Sequence, residues 1–343
     1  MEIYWAVRTN GNPIGAVQEI VLNFWEQLNL EAMIVPIESA INKIPKATVV
    51  LNTDFIKNLN PFKPVMADNS AKLVPEFINK FQDKKLGVIL RPCEMNTLIA
   101  SSDIGGFSLH NVFTISFDCL GTLPVADYLW KIEHKPANSY CYQKFLQFSR
   151  QGGILTYRNR PACQICSKPD ANRADLNINI FGLPVRKVLL IKNNGLDKTT
   201  HLNFKNLSYE KVEPALVDQH RKTSSRIVER NSSTFFRIVR ALEQILPGNI
   251  DELISQFRQC GHCQTISDIC PVCSLQLQKN ENIQDIPRHD LIRWLVSCSG
   301  CGMCESICPE HHSLNLIFKY IRSRMQEENS LLNNLKSKND FLI

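Results

Sequence analysis

The most reactive side chains of this protein are cysteines, and most of its 13 cysteines lie near the C-terminus. One run follows the spacing C-x2-C-x2-C-x3-C-P and consists of Cys298, Cys301, Cys304, Cys308 and Pro309. Bacterial ferredoxins use this spacing to hold a [4Fe–4S] cluster through thiolates. The run therefore predicts iron–sulfur ligation and the transfer of single electrons.

A second group of cysteines lies shortly before this run: Cys260, Cys263, Cys270 and Cys273. On the ferredoxin template, Ile266 stands where a cysteine is expected, and Cys273 could supply the missing thiolate. In two-cluster ferredoxins the fourth cysteine of each run binds the other cluster. One predicted set is Cys298, Cys301, Cys304 and Cys270, and the other is Cys260, Cys263, Cys273 and Cys308. The alternative for the second group is a zinc knuckle, because paired C-x2-C units suit tetrahedral Zn²⁺.

Four further cysteines lie upstream: Cys93, Cys119, Cys163 and Cys166. Cys93 and Cys119 each follow a short apolar run that reads as a buried strand. If the two strands are parallel, both thiols emerge at the carboxyl edge of one sheet, where open α/β sheets build their sites. Cys163 and Cys166 could close over them and complete a third four-sulfur set. The alternative is that these are ordinary buried cysteines, which is also how we interpret Cys141.

The elements that must position these cysteines can be inferred from apolar periodicity. Apolar residues at helical spacing predict a helix over residues 14–30, and short apolar runs predict strands. The predicted strands are Thr48–Leu51, Leu86–Leu90, Val112–Phe117 and Val188–Lys192. Alternating strands and helices over about the first 200 residues indicate an α/β fold.

The second half of the sequence is predominantly helical in pattern. Ser232 or Ser233 could cap a helix, and Pro247 marks a domain boundary. We predict an α/β domain over 1–248, a small α-helical, two-cluster ferredoxin-like domain over 249–325, and a polar tail over 326–343. A final helix of about 314–325 has an apolar stripe suited to docking another subunit or to packing on its own domain.

The composition limits the class of protein. The net charge of +6 is scattered, without the basic tract and interleaved aromatic residues of a nucleic-acid-binding surface. The N-terminus lacks the pattern of a signal peptide, and no apolar stretch is long and uncharged enough to be transmembrane. We therefore expect a cytoplasmic protein, whose cysteines bind metal or do redox work rather than form disulfides.

Several short motifs together resemble those of a known family. They are Asn60–Pro64 (NPFKP), Leu90–Glu94 (LRPCE), Asp118–Thr122 (DCLGT), Cys163–Cys166 and Ala174–Ile178 (ADLNI). With the C-terminal cysteine runs, they resemble the coenzyme F420 hydrogenase/formate dehydrogenase beta-subunit family over residues 4–325.

The resemblance implies cofactors and partners that the spacing alone does not. It implies FAD in the α/β domain and a [4Fe–4S] cluster near it, held by the four upstream cysteines. It also implies a partner that is a catalytic dehydrogenase or hydrogenase subunit, or a heterodisulfide-reductase-like subunit. A soluble two-electron carrier, such as F420 or a nicotinamide, would exchange hydride with the flavin.

The flavin contacts are the least defined part of the predicted site. No G-x-G-x-x-G motif follows an early strand, so a pyrophosphate would need other donors, such as the loop around Asn69 and Ser70. The alternative is that these residues cap a helix. Arg91 could pair with a flavin phosphate or sit in a salt bridge.

The leading hypothesis is a flavin iron–sulfur electron-transfer subunit. The first alternative is a flavin-free iron–sulfur adaptor that passes electrons between a dehydrogenase and a partner. A zinc-bearing nucleic-acid module is the second, and the ferredoxin spacing argues against it.

Overall fold

The structure is a computed structural model. It describes residues 3–38, 43–81, 83–134, 146–151, 158–194, 204–242, 245, 247, 249–259, 268–277, 286–308, 310 and 312–325.

An eight-stranded sheet organises the N-terminal part, with the strand order β3-β2-β4-β5-β6-β7-β1-β8. The strands are β1 (Ile3–Arg8), β2 (Ala32–Glu38), β3 (Pro45–Val50), β4 (Leu86–Leu90), β5 (Val112–Phe117), β6 (Leu176–Asn179), β7 (Val188–Asn193) and β8 (Tyr209–Lys211). Neighbours in the central group β2-β4-β5-β6 are parallel, and the outer strands pair antiparallel to their neighbours. The predicted α/β fold is confirmed.

Helices connect and cover these strands. Those before β6 are Pro13–Leu28, Leu73–Lys80, Pro92–Gly105, Val125–His134 and the short Pro161–Gln164. Those after β8 are Pro214–Leu242, Ile250–Gln259, Pro271–Leu277, Arg288–Ser297 and a helix over 314–325. No helix among the described residues has the length and apolar character needed to cross a membrane.

The central parallel strands are buried on both faces. Successive residues of β4 alternate between two apolar cores: Ile89 packs with Phe24 of helix Pro13–Leu28, while Val88 and Leu90 pack with Leu98 of helix Pro92–Gly105. A strand covered on both faces has no polar side to expose, which is why β4 reads as a continuous apolar run, while β5 buries two small polar residues, Thr114 and Ser116.

A separate core holds the C-terminal helices together. It contains Trp294, Leu295, Leu314, Phe318 and Ile321, together with buried cysteines. The apolar stripe of the 314–325 helix therefore packs inside this chain, which was one of the two uses expected for it. The long helix Pro214–Leu242 joins the two parts: its Ile227 lies in the sheet core and its Phe235 in the C-terminal core.

Most of the predicted elements are found, with shifted ends. Strands β4 and β5 have the predicted bounds, and β3 starts earlier than predicted and ends before Leu51. The predicted 14–30 helix spans Pro13–Leu28 and ends at Asn29, whose φ of 51° is left-handed. The prediction that Ser232 or Ser233 begins a helix is wrong, because both lie inside Pro214–Leu242. That helix buries polar residues such as His220 and Asn231, which hides its periodicity in the sequence.

Candidate functional site

The two cysteines that follow β4 and β5 lie at one edge of the sheet. The strands are parallel, with Leu90 paired to Ser116, so their carboxyl ends point the same way. Cys93 lies in the first turn of helix Pro92–Gly105, directly after β4, and Cys119 lies two residues after β5. The expectation of two parallel strands carrying these thiols to one edge is confirmed.

The remaining upstream cysteines reach the same place. Cys163 lies on the short helix Pro161–Gln164 and Cys166 follows it, and both line one cavity with Cys93 and Cys119. Cys301 of the C-terminal run lines this cavity too. We call this space the cysteine cavity. Four thiols around a common space are the donor set that a [4Fe–4S] cluster requires.

The loops that carry these thiols are fixed by backbone hydrogen bonds. The Cys119 N–H donates to the Pro169 carbonyl at 2.8 Å, so the loop after β5 is tied to the segment just beyond Cys166. The Asn231 side chain donates to the Cys166 carbonyl at 2.8 Å from the long helix. Contacts within the chain therefore hold the cavity wall together.

Burial raises the pKa of several thiols in both cysteine groups. It raises the pKa of Cys166 to about 12 and that of Cys298 to about 11, because a buried thiolate loses its hydration. The pKa of Cys93 is raised for the same reason. Iron binds thiolate, so positive charge must accompany the deprotonated sulfurs.

Two buried guanidinium groups provide positive charge beside the cavity. Arg91 Nη1 donates to Cys119 Sγ at 3.4 Å, and its Nη2 donates to three loop carbonyls, those of residues 61, 63 and 65, at 2.8–3.4 Å. Its guanidinium also lies over the ring of Phe117. Arg91 thus binds a thiol and the loop of the NPFKP motif, rather than the carboxylate of a salt bridge. Arg160 is the second group, and no motif in the sequence singles it out.

Asn69 caps the 3₁₀ helix Ser70–Lys72, of which Ser70 is the first residue. The Asn69 side chain accepts a hydrogen bond from the Ala71 N–H and donates to Thr97, and the Ser70 N–H donates to the buried carboxylate of Glu94. Both side chains are buried. Capping was the alternative to a phosphate contact, and these bonds occupy the donors that a phosphate would need.

The C-terminal cysteines form a second buried group. Cys270 lies near enough to Cys298, Cys301 and Cys304 to influence the ionisation of all three. These are the four residues grouped in one predicted cluster set. The N–H of Gly300 and the N–H of Cys273 donate to Cys298 Sγ and Cys270 Sγ at 3.4 and 3.5 Å.

The other predicted set is only partly described. Cys273 and Cys308 are buried in the C-terminal core, and Trp294 Nε1 donates to Cys273 Sγ at 3.3 Å. Cys260 and Cys263 lie outside the described residues. Within the described part of the chain, no three His, Cys, Asp or Glu side chains converge on one point as ligands of a single ion would. A cubane cluster differs, because each thiolate binds a different iron corner.

A buried ion pair supports the loop that carries Cys119. Asp118 accepts hydrogen bonds from the N–H groups of Ala171, Ile180 and Phe181, and His220 Nε2 lies 2.8 Å from its Oδ2. Burial alone would raise the pKa of Asp118, but the charge of His220 and these hydrogen bonds hold it below its usual value. His220 was not predicted from the sequence, because it lies 102 residues away from Asp118 in the chain.

A larger cavity of about 620 Å³ borders both cysteine groups. We call it the basic cleft, because Lys168, Arg173, Lys319 and Arg322 line it against one carboxylate, Asp103. Cys93, Cys166 and Cys298 contribute to its walls, and Phe236 and Val296 add apolar side chains that are 58% and 43% exposed. Its size is in the range of small-molecule and cofactor sites, about 300–1,000 Å³. An aromatic ligand with phosphate groups would suit this lining.

Two curated relatives of this chain are beta subunits of F420-dependent formate dehydrogenases. The chain is 23% identical over 296 residues to the F420-dependent formate dehydrogenase subunit beta of Methanocaldococcus jannaschii, covering 75% of this chain and 74% of that one. It is 22% identical over 228 residues to the F420-dependent formate dehydrogenase 1 subunit beta of Methanococcus maripaludis, covering 56% and 55%. No protein-family model matches the chain.

A solved structure has the same fold. A chain of the F420-reducing [NiFe] hydrogenase complex from Methanosarcina barkeri superposes with a TM-score of 0.50 at 14% identity. The match covers 69% of this chain and 91% of that chain. At this identity the likeness shows the fold alone.

Proposed function

We propose that this chain transfers electrons between [4Fe–4S] clusters and a flavin. The premise is that it is an oxidoreductase subunit related to the coenzyme F420 hydrogenase/formate dehydrogenase beta-subunit family. The observation that carries the proposal is the cysteine cavity, where the four upstream thiols meet Cys301 of the C-terminal run. Two cluster-binding sets that share a wall give a continuous route for electrons.

The residues have distinct roles in this proposal. Cys93, Cys119, Cys163 and Cys166 hold the cluster nearest the flavin, and Cys270, Cys298, Cys301 and Cys304 hold the next. Cys260, Cys263, Cys273 and Cys308 hold a third. When bound, the clusters supply one-electron transfer and FAD converts it to two-electron transfer. Arg91 holds Cys119 in place and offsets its negative charge.

The basic cleft is the best candidate for the flavin or for the soluble carrier. Its cations suit phosphate groups, and Phe236 offers a surface for an aromatic ring. Cys93 and Cys166 are shared by the cleft and the cysteine cavity, so a ligand in the cleft would lie beside the first cluster. The curated relatives are named for F420, which makes F420 the first carrier to test, with a nicotinamide second.

The proposal also includes partner subunits. The two curated relatives are beta subunits, which implies assembly with others. A catalytic dehydrogenase or hydrogenase subunit, or a heterodisulfide-reductase-like subunit, would deliver or accept electrons at the C-terminal clusters. Co-purification of the tagged chain with its neighbours in the cell extract would identify the subunit.

Cofactor analysis of the full chain tests the proposal. After anaerobic reconstitution with iron, sulfide and FAD, we expect about 12 irons per chain from three clusters and one flavin. Cys163→Ser should lower the iron content by about four atoms. Cys141→Ser is the matched control and should keep all of them. Full iron content in Cys163→Ser would contradict the cavity cluster, and eight irons without flavin would favour an adaptor.

A further inference from the structure

Arg160 is a buried cation at the junction of the two cysteine groups. It is 5% exposed, and it precedes the short helix that carries Cys163. Nε donates to the Thr122 hydroxyl at 2.8 Å, and Nη2 donates to the Cys301 carbonyl at 3.1 Å. The guanidinium therefore binds the N-terminal part of the chain with one edge and the C-terminal cysteine run with the other.

Within the described part of the chain, the oxygen and thioether acceptors of the Arg160 guanidinium are uncharged. Besides the hydroxyl and the carbonyl, they are the thioethers of Met303 at 3.2 Å and Met66 at 3.5 Å. Thioether sulfur is a weak acceptor. Among the described residues none of these partners is a carboxylate. Glu305 lies near enough to interact electrostatically with Arg160; its Oε1 accepts from the Asn315 N–H, and its buried Oε2 has no hydrogen-bond partner among the described residues.

A buried cation with uncharged partners is unfavourable unless an anion lies nearby. The groups that interact most strongly with Arg160 as anions are Cys163, Cys301 and Cys93, from both cysteine groups. Thr122 bridges the Arg160 guanidinium and Cys163, because its Oγ1 accepts from Arg160 and lies 3.4 Å from Cys163 Sγ. Besides Glu305, the anions that match Arg160 are therefore the thiolates of the proposed clusters.

We propose that Arg160 is a positioning residue that raises the reduction potential of the cluster in the cysteine cavity. The inference rests on the proposed function, since it requires that cluster. Reduction adds one negative charge to a cluster, and a fixed guanidinium beside it stabilises the reduced form. Contact with the Cys301 carbonyl extends the effect to the neighbouring cluster, so electrons crossing the junction pass close to the cation.

The test is EPR-monitored redox titration of the reconstituted full chain. The signal missing in Cys163→Ser identifies the cavity cluster. Arg160→Met should shift the reduced-to-oxidised ratio of the cavity cluster at least tenfold toward the oxidised form. For one electron, this corresponds to a reduction potential lowered by about 59 mV. Arg160→Lys keeps the charge and should show less than half of that shift. An exposed cation on β1, Arg8, is the control, and Arg8→Met should leave the potential unchanged.

A second pair of variants covers the case in which Arg160→Met fails to fold. Met66→Glu places a carboxylate against the guanidinium, while Met66→Gln has the same shape without the charge. Met66→Glu should lower the potential relative to Met66→Gln. Equal potentials in this pair, or an unshifted potential in iron-loaded Arg160→Met, would overturn the role of Arg160. Wild-type chain that binds no iron would instead overturn the proposed function.

Discussion

Single residues fix the cysteine cavity through buried polar contacts rather than through apolar packing alone. Asp118 is the clearest case, because one carboxylate gathers three backbone N–H groups and His220 around the residue that precedes Cys119. Asn179 adds a further donor at 3.0 Å. A carboxylate with this many partners is stabilised in its charged form and orders the segments that donate to it.

Replacing Asp118 by asparagine should destabilise the protein severely. The amide is neutral and cannot accept all of these bonds, and His220 would lose the partner of its charge. Removing one member of a buried pair costs about 3–5 kcal/mol. Urea unfolding under anaerobic conditions measures the loss. Asp127→Asn, on an exposed helix position, is the control and should change stability by less than about 0.5 kcal/mol.

The ion pair between Asp118 and His220 predicts that the stability of the protein depends on pH. Burial would lower the pKa of His220, but the charge and hydrogen bond of Asp118 outweigh it and raise the pKa above its usual value. The contribution of His220 to the free energy of unfolding is therefore full below its unfolded pKa of about 6.5. This contribution is lost as pH rises through the raised pKa of the folded protein. On the acid side, Asp118 has a lowered pKa, so its contribution is lost as pH falls below about 3.9 toward the folded value.

Unfolding free energies of wild type and His220→Gln, measured across pH, test this dependence. The difference between the two proteins should be largest from about pH 4 to 6.5 and should shrink at higher pH. A difference that stays constant from pH 5 to 9 would show that His220 does not titrate with Asp118.

The elements show which features a sequence reveals. Strands β4 and β5 were predicted with correct bounds because strands covered on both faces are mostly apolar, with only Thr114 and Ser116 as polar side chains in β5. Strand β1 was missed because it lies next to the edge strand β8, and its residues range from the buried Ala6 and Val7 to the exposed Arg8. Cys93 and Cys119 were predicted from the strands that they follow. Arg160 and His220 were not predicted, because their roles arise from contacts between distant segments.

The junction between the two cysteine groups depends on close packing of two short segments. Gly302 lies in the loop after Cys301 with a φ of 67°, and a Cβ there would overlap the Cβ of Ala162, next to Cys163. Only glycine fits this position. The approach keeps Cys301 at the cysteine cavity.

Gly302→Ala should therefore push the two segments apart. We expect slower electron transfer between the C-terminal clusters and the flavin, by at least tenfold, with iron content retained. Stopped-flow absorbance of the pre-reduced protein measures the rate. Gly106→Ala is a matched control, because Gly106 has the same φ of 67° but open space around it. It should cost only the backbone strain, about 1–2 kcal/mol, and leave the rate unchanged.

At the scale of the whole molecule, one long helix joins the sheet core to the C-terminal core, and the proposed cofactor route crosses the same boundary. Helix Pro214–Leu242 belongs to both cores, and the basic cleft runs along the boundary between them. A ligand in the cleft would contact the sheet part through Lys168 and Arg173 and the C-terminal part through Arg322. Electron transfer and ligand binding would then depend on the same arrangement of the two parts.

Removing charge from the cleft should weaken binding of an anionic flavin nucleotide. Lys168→Gln should lower FAD affinity about fivefold, and Lys168→Gln with Arg173→Gln should lower it more than tenfold, because each cation contributes about 1 kcal/mol to phosphate binding. Quenching of FAD fluorescence on titration with the protein measures these affinities. The wild-type affinity should fall more steeply with salt than that of the double variant.

Lys57→Gln is the control, since Lys57 lies exposed on the 3₁₀ helix Thr53–Asn58. Equal affinities in all variants would remove the flavin from the basic cleft, and the same titration with F420 would then show whether the cleft serves the soluble carrier.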